Sequence, residues 1–136
     1  MKLFGRLFGG RSPEDMALGD MNEALRLYRK GAFREALQIA DRLVASAPSI
    51  ALGWRFRGEC LFSLQRYSDA VESFDKAAAL GGRGTEDLFL WSALALHNGG
   101  KLEKAKALLR QKLSAGLVPE LRARTEEALR KLEQAG

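Results

Sequence analysis

The sequence predicts an all-α protein built as a solenoid of stacked helix pairs. Three observations support this fold class. Only three of the 136 residues are Pro, and Ala, Leu, Glu, Lys and Arg dominate from Asp15 onward, so helix propensity is high nearly throughout. The alternating apolar pattern of a half-buried strand is absent. Small and aromatic residues also recur about every 34 residues, a period that is typical of helical-repeat proteins.

Residues 1–11 are predicted to form a tail ahead of a repeat domain at residues 12–136. Helical spacing would place the apolar residues of this tail on one side and basic residues on the other. The residues concerned are Leu3, Phe4, Leu7 and Phe8, with Lys2 and Arg6. The run is too short and too charged to span a membrane. Three alternatives stay open: contact with an anionic membrane surface, a cap on the domain core, or no ordered structure.

The first helix pair is predicted from its start and stop signals. Ser12 is a good N-cap, Pro13 suits the first helical position, and the acidic residues that follow favour the positive end of the helix dipole. Gly31 ends this helix, and a second helix starts at about Ala32 and ends before Pro48. Because the turn between them is so short, the two helices must run antiparallel.

The same pattern recurs one repeat later. Phe33 and Ala36 are followed 34 residues later by Tyr67 and Ala70. A single helix pair of this kind leaves an apolar face uncovered, so neighbouring pairs must stack on one another. The small residues allow helices to cross closely, and the aromatic residues fill the space that remains.

The repeats resemble the tetratricopeptide repeat family. Members of that family have Trp, Leu, a small residue and Tyr on the first helix of each repeat, and aromatic residues and Ala on the second. The middle repeat, residues 51–84, departs where Arg57 replaces the usual Leu. It matches the family at Trp54, Gly58, Leu61, Tyr67, Ala70, Phe74 and Ala77. The resemblance implies a right-handed superhelix of about seven helices, with a concave face lined mainly by first helices.

Two further repeats and a final helix complete the predicted array. Residues 17–50 form the first repeat, with charged residues at two positions where apolar ones are expected. Residues 86–118 form a third, less regular repeat. Residues 119–134 place apolar residues on one face and charges on the other, as in the capping helix that ends such arrays.

Composition and motifs argue against catalysis, cofactors and metals. The chain has one Cys and one His, so it offers no metal cluster of these residues and no disulfide within the chain. It contains no nucleophile motif and no phosphate-binding loop. We therefore predict a non-enzymatic protein without metal or cofactor. The expected location is the cytoplasm, with the inner face of a membrane as the alternative.

The net charge of +5 raises the question of nucleic-acid binding. The basic residues, however, alternate with acidic ones at helical spacing, as in Glu126, Glu127, Arg130 and Lys131. This pattern is typical of a solvated helix face. We therefore expect a protein partner and no nucleic acid.

The resemblance also implies a binding groove on the concave face. The concave positions of the family correspond here to Met21, Leu25, Tyr28, Arg29, Arg55, Phe56, Phe62 and Trp91. This set is unusually apolar for a solvent-facing surface, which indicates that another molecule covers it. We predict a protein-interaction scaffold or adaptor that binds an apolar or amphipathic segment of a partner.

Alternatives to that function stay open. Some of the predicted groove residues could belong to the core, and the tail or a second copy of the chain could fill the groove. The protein could also be a membrane-peripheral accessory protein that is anchored by its tail.

One mode of binding in this family can be argued against. Co-chaperones with tetratricopeptide repeats hold the C-terminal carboxylate of heat-shock chaperones with a clamp of Lys, Asn and Arg. The equivalent positions in this chain hold Met21, Leu25, Phe56, Asp87 and Trp91. We therefore expect no binding of such carboxylate termini.

Overall fold

The computed structural model describes residues 13–135, with side chains from residue 17 onward except at 18. Within this range the chain forms seven α-helices and no strand, which confirms the predicted all-α helical-repeat fold. The helices are α1 (Pro13–Arg29), α2 (Phe33–Ser46), α3 (Ala51–Ser63), α4 (Tyr67–Leu80), α5 (Leu88–Asn98), α6 (Leu102–Ala115) and α7 (Pro119–Ala135). Each helix packs against the next one in chain order, and α5 also contacts α7.

The three helix pairs turn in the same way. Gly31, Gln65 and Gly100 each have a positive φ, of 79°, 61° and 82°, and each lies two residues after the end of the first helix of its pair. In each turn, the next residue donates its backbone N–H to a carbonyl five residues earlier, over 2.8–2.9 Å. This hydrogen bond and the left-handed residue define the Schellman motif, which ends a helix and reverses the chain. The sequence repeat is therefore matched by a repeat of backbone hydrogen bonds.

Small residues sit where the helices cross. Ala36, Ala70 and Ala105 on the second helices are fully buried, as is Ala24 on α1. Gly58 in α3 lies against the ring of Phe74 in α4, so closely that a Cβ atom would come within 2.7 Å of two ring carbons. Close packing of this kind tolerates no extra methyl group without movement of the backbone or the ring.

Helix α5 contains no Asp, Glu, Lys or Arg among its eleven residues. Its environment explains this composition, because α4, α6 and α7 all pack against it. A helix that is covered on several sides gains free energy from apolar residues around most of its circumference. Helix α7, by contrast, buries mainly Thr125 and Leu132 and exposes many charges. It therefore covers the last repeat with its apolar side.

Candidate functional site

A groove lies between α3, the loop that joins α4 to α5, and the start of α7. Its volume is about 350 Å³. Its walls are formed by Arg55, Gly84, Glu86, Asp87, Val118, Glu120, Leu121 and Arg124. We call this feature the α3–α7 groove. It combines one predicted groove residue, Arg55, with residues from a loop and from the final helix.

The two arginines of the α3–α7 groove are held by its own walls. Arg55 donates a hydrogen bond from Nη1 to the carbonyl oxygen of Gly84 over 2.9 Å, and its Nε lies 3.8 Å from Glu59 Oε1. Arg124 Nη2 lies 3.3 Å from Asp87 Oδ2. Burial raises the pKa of Glu59, and the charge of Arg55 partly opposes that rise. These positive charges are therefore compensated within the protein.

Glycine suits position 84 in the groove wall because of its backbone conformation and its lack of a side chain. Its φ is +83°, a left-handed conformation that side chains with a Cβ rarely adopt, and such an atom would lie 3.4 Å from Arg55 Nη1. The glycine thus allows the guanidinium to reach the backbone carbonyl. The α4–α5 loop and α3 are joined by this contact.

Large apolar side chains are exposed along and next to the groove. Val118, in its wall, is 67% exposed, and Leu94 on α5 is 43% exposed. Asp87 is the N-cap residue of α5, and Leu94 lies seven residues later, about two helical turns along that helix. The groove wall thus carries one exposed apolar side chain, Val118, and the helix that begins at its edge carries another, Leu94.

The aromatic residues predicted as groove anchors pack against one another instead of standing free. Tyr28 contacts Phe56 edge to face, with ring centres 5.7 Å apart, and its hydroxyl shares a 3.0 Å hydrogen bond with Ser63. Phe62 contacts Trp91 in the same way, with ring centres 5.8 Å apart. Tyr28, Phe62 and Trp91 are half-buried, so each contributes to the stack of helix pairs and keeps some exposed surface.

Two predicted groove residues lie in the core. Met21 is 8% exposed and Phe56 is 2% exposed, so both are buried in the core. For these two residues the structure agrees with the alternative that some predicted groove residues belong to the core, and Tyr28 packs against Phe56. The other members are accessible: Leu25 and Arg55 are half-buried, and Arg29 is exposed.

The residues predicted for membrane contact lie outside the described residues. They are Lys2, Phe4, Arg6, Leu7 and Phe8. Among residues 13–135, no helix is both long and apolar enough to cross a membrane. In the same range, no group of three or more His, Cys, Asp and Glu side chains is arranged to hold a metal ion.

Sequence reasoning missed the contribution of α7 to the site. Val118, Leu121 and Arg124 all line the α3–α7 groove. The sequence did contain a signal for this contribution, because Leu121 and Arg124 are three residues apart and therefore lie on one face of the helix. The amphipathic pattern of α7 predicts a capping helix, and α7 also contributes residues to the groove wall.

Arg57, the departure from the family pattern in α3, joins three helices. Its Nε donates to Asp41 Oδ1 on α2 over 2.7 Å, and its Nη1 donates to the buried Ser73 Oγ on α4 over 2.6 Å. Lys76 Nζ lies 4.5 Å from the ring centre of Trp54, which covers the same region. Polar and cation–π contacts thus take the place of the leucine that the family usually has there.

Comparison with protein families identifies the repeats. Residues 21–85 match the family model for the tetratricopeptide repeat. The cytochrome c-type biogenesis protein CycH of Pseudomonas aeruginosa is 38% identical to this chain over 61 residues. The aligned part is 45% of this chain and 15% of CycH, so this chain spans only a small part of that relative's length.

Solved structures of repeat proteins share the fold. The type III secretion translocator chaperone SycD of Yersinia enterocolitica superposes with a TM-score of 0.75 at 19% identity, over 96% of this chain and 91% of SycD. SycD in complex with a peptide of the translocator YopD gives a TM-score of 0.73 at 21% identity, over 89% and 95%. The first such domain of Spaghetti, bound to a peptide of HSP90, gives 0.71 at 23% identity, over 88% and 91%. At these identities, the likeness shows the fold alone.

Proposed function

Because this chain is a tetratricopeptide repeat protein, we propose that it is a protein-interaction scaffold, and that a partner protein places an apolar or amphipathic segment along the α3–α7 groove. The exposed apolar side chains of Val118 in the groove wall and Leu94 on α5 are the observation that supports this function. Val118, just before α7, and Leu94, on α5, are large, apolar and exposed, and charged residues line the groove beside Val118. A surface of this composition is typical of a binding site.

The charges of the groove favour an apolar segment over an acidic one. Arg55 and Arg124 are already bound to Gly84, Glu59 and Asp87. An acidic partner would have to displace these contacts, and it would also face Glu86 and Glu120 in the walls. An apolar segment instead covers Leu94 and Val118 and leaves the ion pairs in place.

The structural relatives provide a model for how the segment binds. SycD has been solved with a peptide of YopD, and the Spaghetti domain with a peptide of HSP90. We propose that this chain also holds an extended or helical peptide segment, with different chemistry from a carboxylate clamp. The clamp positions here include Met21 and Phe56, which are buried.

The test replaces the exposed apolar residues and leaves the folded core untouched. The wild type, Leu94→Ser and Val118→Ser are used as bait in host lysate, with quantitative mass spectrometry of the captured proteins. Leu80→Ser is the matched control, because Leu80 is 45% exposed but lies at the end of α4, outside the groove walls. Thermal unfolding of each variant verifies that the domain is folded.

A partner that binds in the groove should be captured equally by the wild type and by Leu80→Ser. Each groove substitution should weaken its binding by about tenfold, since that is the order of the free energy lost when half of a leucine side chain stays hydrated. The purified partner then gives dissociation constants by calorimetry. Equal binding by all four proteins would show that the partner uses another surface, and the proposed site would be abandoned.

A further inference from the structure

A second apolar pocket lies at the opposite end of the array from the α3–α7 groove. It has a volume of about 190 Å³. It is lined by Ala17, Met21, Leu43, Ala47, Ile50, Leu52 and Gly53. The start of α1, the end of α2 and the start of α3 meet there. Ile50 and Leu52 are exposed at its rim, where two large aliphatic side chains face solvent.

The size of this pocket matches one aromatic side chain. A dry engineered cavity of about 150 Å³ binds benzene, which is the ring of a phenylalanine. The pocket described here is open on one side and somewhat larger, and its lining is almost entirely aliphatic. Such a site favours an apolar side chain over water.

The chain itself enters the domain at this end. Helix α1 starts at Pro13, and Ala17 in the pocket wall is four residues later, about 6 Å along the helix axis. Phe8 precedes Pro13 by five residues, which can span up to about 16 Å when extended. Gly9 and Gly10 allow the chain to reverse its direction between the two.

We propose that the segment Met1–Gly10 folds back across Gly9 and Gly10 and covers this pocket, with Phe8 as the side chain that enters it. Leu7 and Phe8 are the apolar residues nearest to the pocket along the chain. Lys2 and Arg6, on the other side of the segment at helical spacing, then face solvent. The contact completes the first repeat, whose outer side has no preceding repeat among residues 13–135.

Trypsin provides a direct test because Arg6 lies within the segment. In the full-length wild type, cleavage after Arg6 should be at least about tenfold slower than in the Leu7→Ser/Phe8→Ser double variant, since burial of one such side chain shifts a docking equilibrium by that order. Ala17→Phe, which fills the pocket from within, should accelerate the same cleavage. If Ala17→Phe does not fold, the cleavage rate of the double variant still tests the proposal, because its two substitutions precede α1 and leave the helices unchanged.

An engineered disulfide between two introduced cysteines tests which segment occupies the pocket. Leu7→Cys, which leaves Phe8 in place, is combined with Leu52→Cys at the rim, and the control combines Leu7→Cys with Asn22→Cys, which is exposed on another side of α1. Cys60 is fully buried and does not compete. A bond within one chain that forms about tenfold faster for the Leu52 pair than for the control supports the proposal.

Three results would overturn it. A bond that forms only between two chains would mean that a second copy covers the pocket. Equal rates for the two cysteine pairs, with rapid cleavage after Arg6 in the wild type, would mean that the segment does not dock. Binding of the wild type to vesicles of anionic phospholipid, with Arg6 protected only when vesicles are present, would mean that a membrane surface holds the segment. None of these results depends on the α3–α7 groove.

Discussion

Replacement of Gly58 by Ala tests whether the close crossing of α3 and α4 stabilises the array. A Cβ atom at this position would lie 2.7 Å from Cδ1, 2.7 Å from Cε1 and 3.0 Å from Cζ of Phe74. Carbon atoms pack best about 3.5–4.0 Å apart, so the new methyl group would overlap with the ring by nearly an ångström. Phe74 is fully buried and cannot turn away into solvent.

The expected magnitude follows from two opposing terms. Overpacking of a well-filled core costs about 1–3 kcal/mol, and overlap with three ring atoms places Gly58→Ala in the upper half of that range. The higher helix propensity of Ala returns about 1 kcal/mol. We therefore expect a net loss of about 1–2 kcal/mol in the free energy of unfolding, which lowers the melting temperature by roughly 3–8 °C.

Gly53→Ala is the matched control in the same helix. A Cβ atom there would lie 3.5 Å from Val44 Cγ1 and 3.9 Å from Leu43 Cβ, which are ordinary contacts. Only the propensity term applies, so this variant should be more stable than the wild type by about 0.5–1 kcal/mol. Urea unfolding followed by circular dichroism gives both values.

The reasoning would be refuted if Gly58→Ala matched or exceeded the stability of the wild type with an unchanged denaturant slope. A second check uses Phe74→Leu. If the clash with the ring is the cause, the loss in the double variant should be smaller than the sum of the two single losses by at least about 0.5 kcal/mol.

Three further predictions concern stability and reactivity. Burial raises the pKa of the Cys60 thiol to about 12 from its ordinary value of 9.0, so the folded state binds this proton more tightly than the unfolded state does. The contribution of the thiol proton to the free energy of unfolding is therefore complete below pH 9.0 and is lost as the pH rises towards 12. Urea titrations at rising pH should show this loss in the wild type and a shallower one in Cys60→Ala. Arg57→Met should destabilise the fold by about 1–2 kcal/mol in chemical denaturation, because the buried hydroxyl of Ser73 loses a charged donor; an unchanged midpoint would show that the contact contributes nothing. Gln65→Gly should raise the melting temperature, because it removes about 1 kcal/mol of strain from the left-handed conformation in the folded state. The greater entropy of glycine in the unfolded chain offsets part of this gain, and a lower melting temperature would contradict the prediction.

The turns show how far local sequence determines structure. Gly31 predicted a helix end because glycine adopts a positive φ at little cost, and its φ is 79°. Gln65 stands at the equivalent place in the middle repeat with a φ of 61°, although nothing in that residue favours such a conformation. The packing of α3 against α4 on either side of the turn holds it there. The packing of two helices thus determines the backbone conformation of Gln65 against its own preference.

The sequence by itself determined the class of fold and the resemblance to tetratricopeptide repeats, because both depend on periodic features that are local or recur at a constant interval. Trp54, Gly58 and Phe74 could be assigned without coordinates for that reason. The tertiary structure decided which apolar residues are accessible. Met21 and Phe56 are covered and Leu94 and Val118 are not, because a rotation of a helix by one residue position exchanges buried and exposed faces. The groove itself joins α3 to α7, and only the stacking of the repeats brings segments so distant in sequence together.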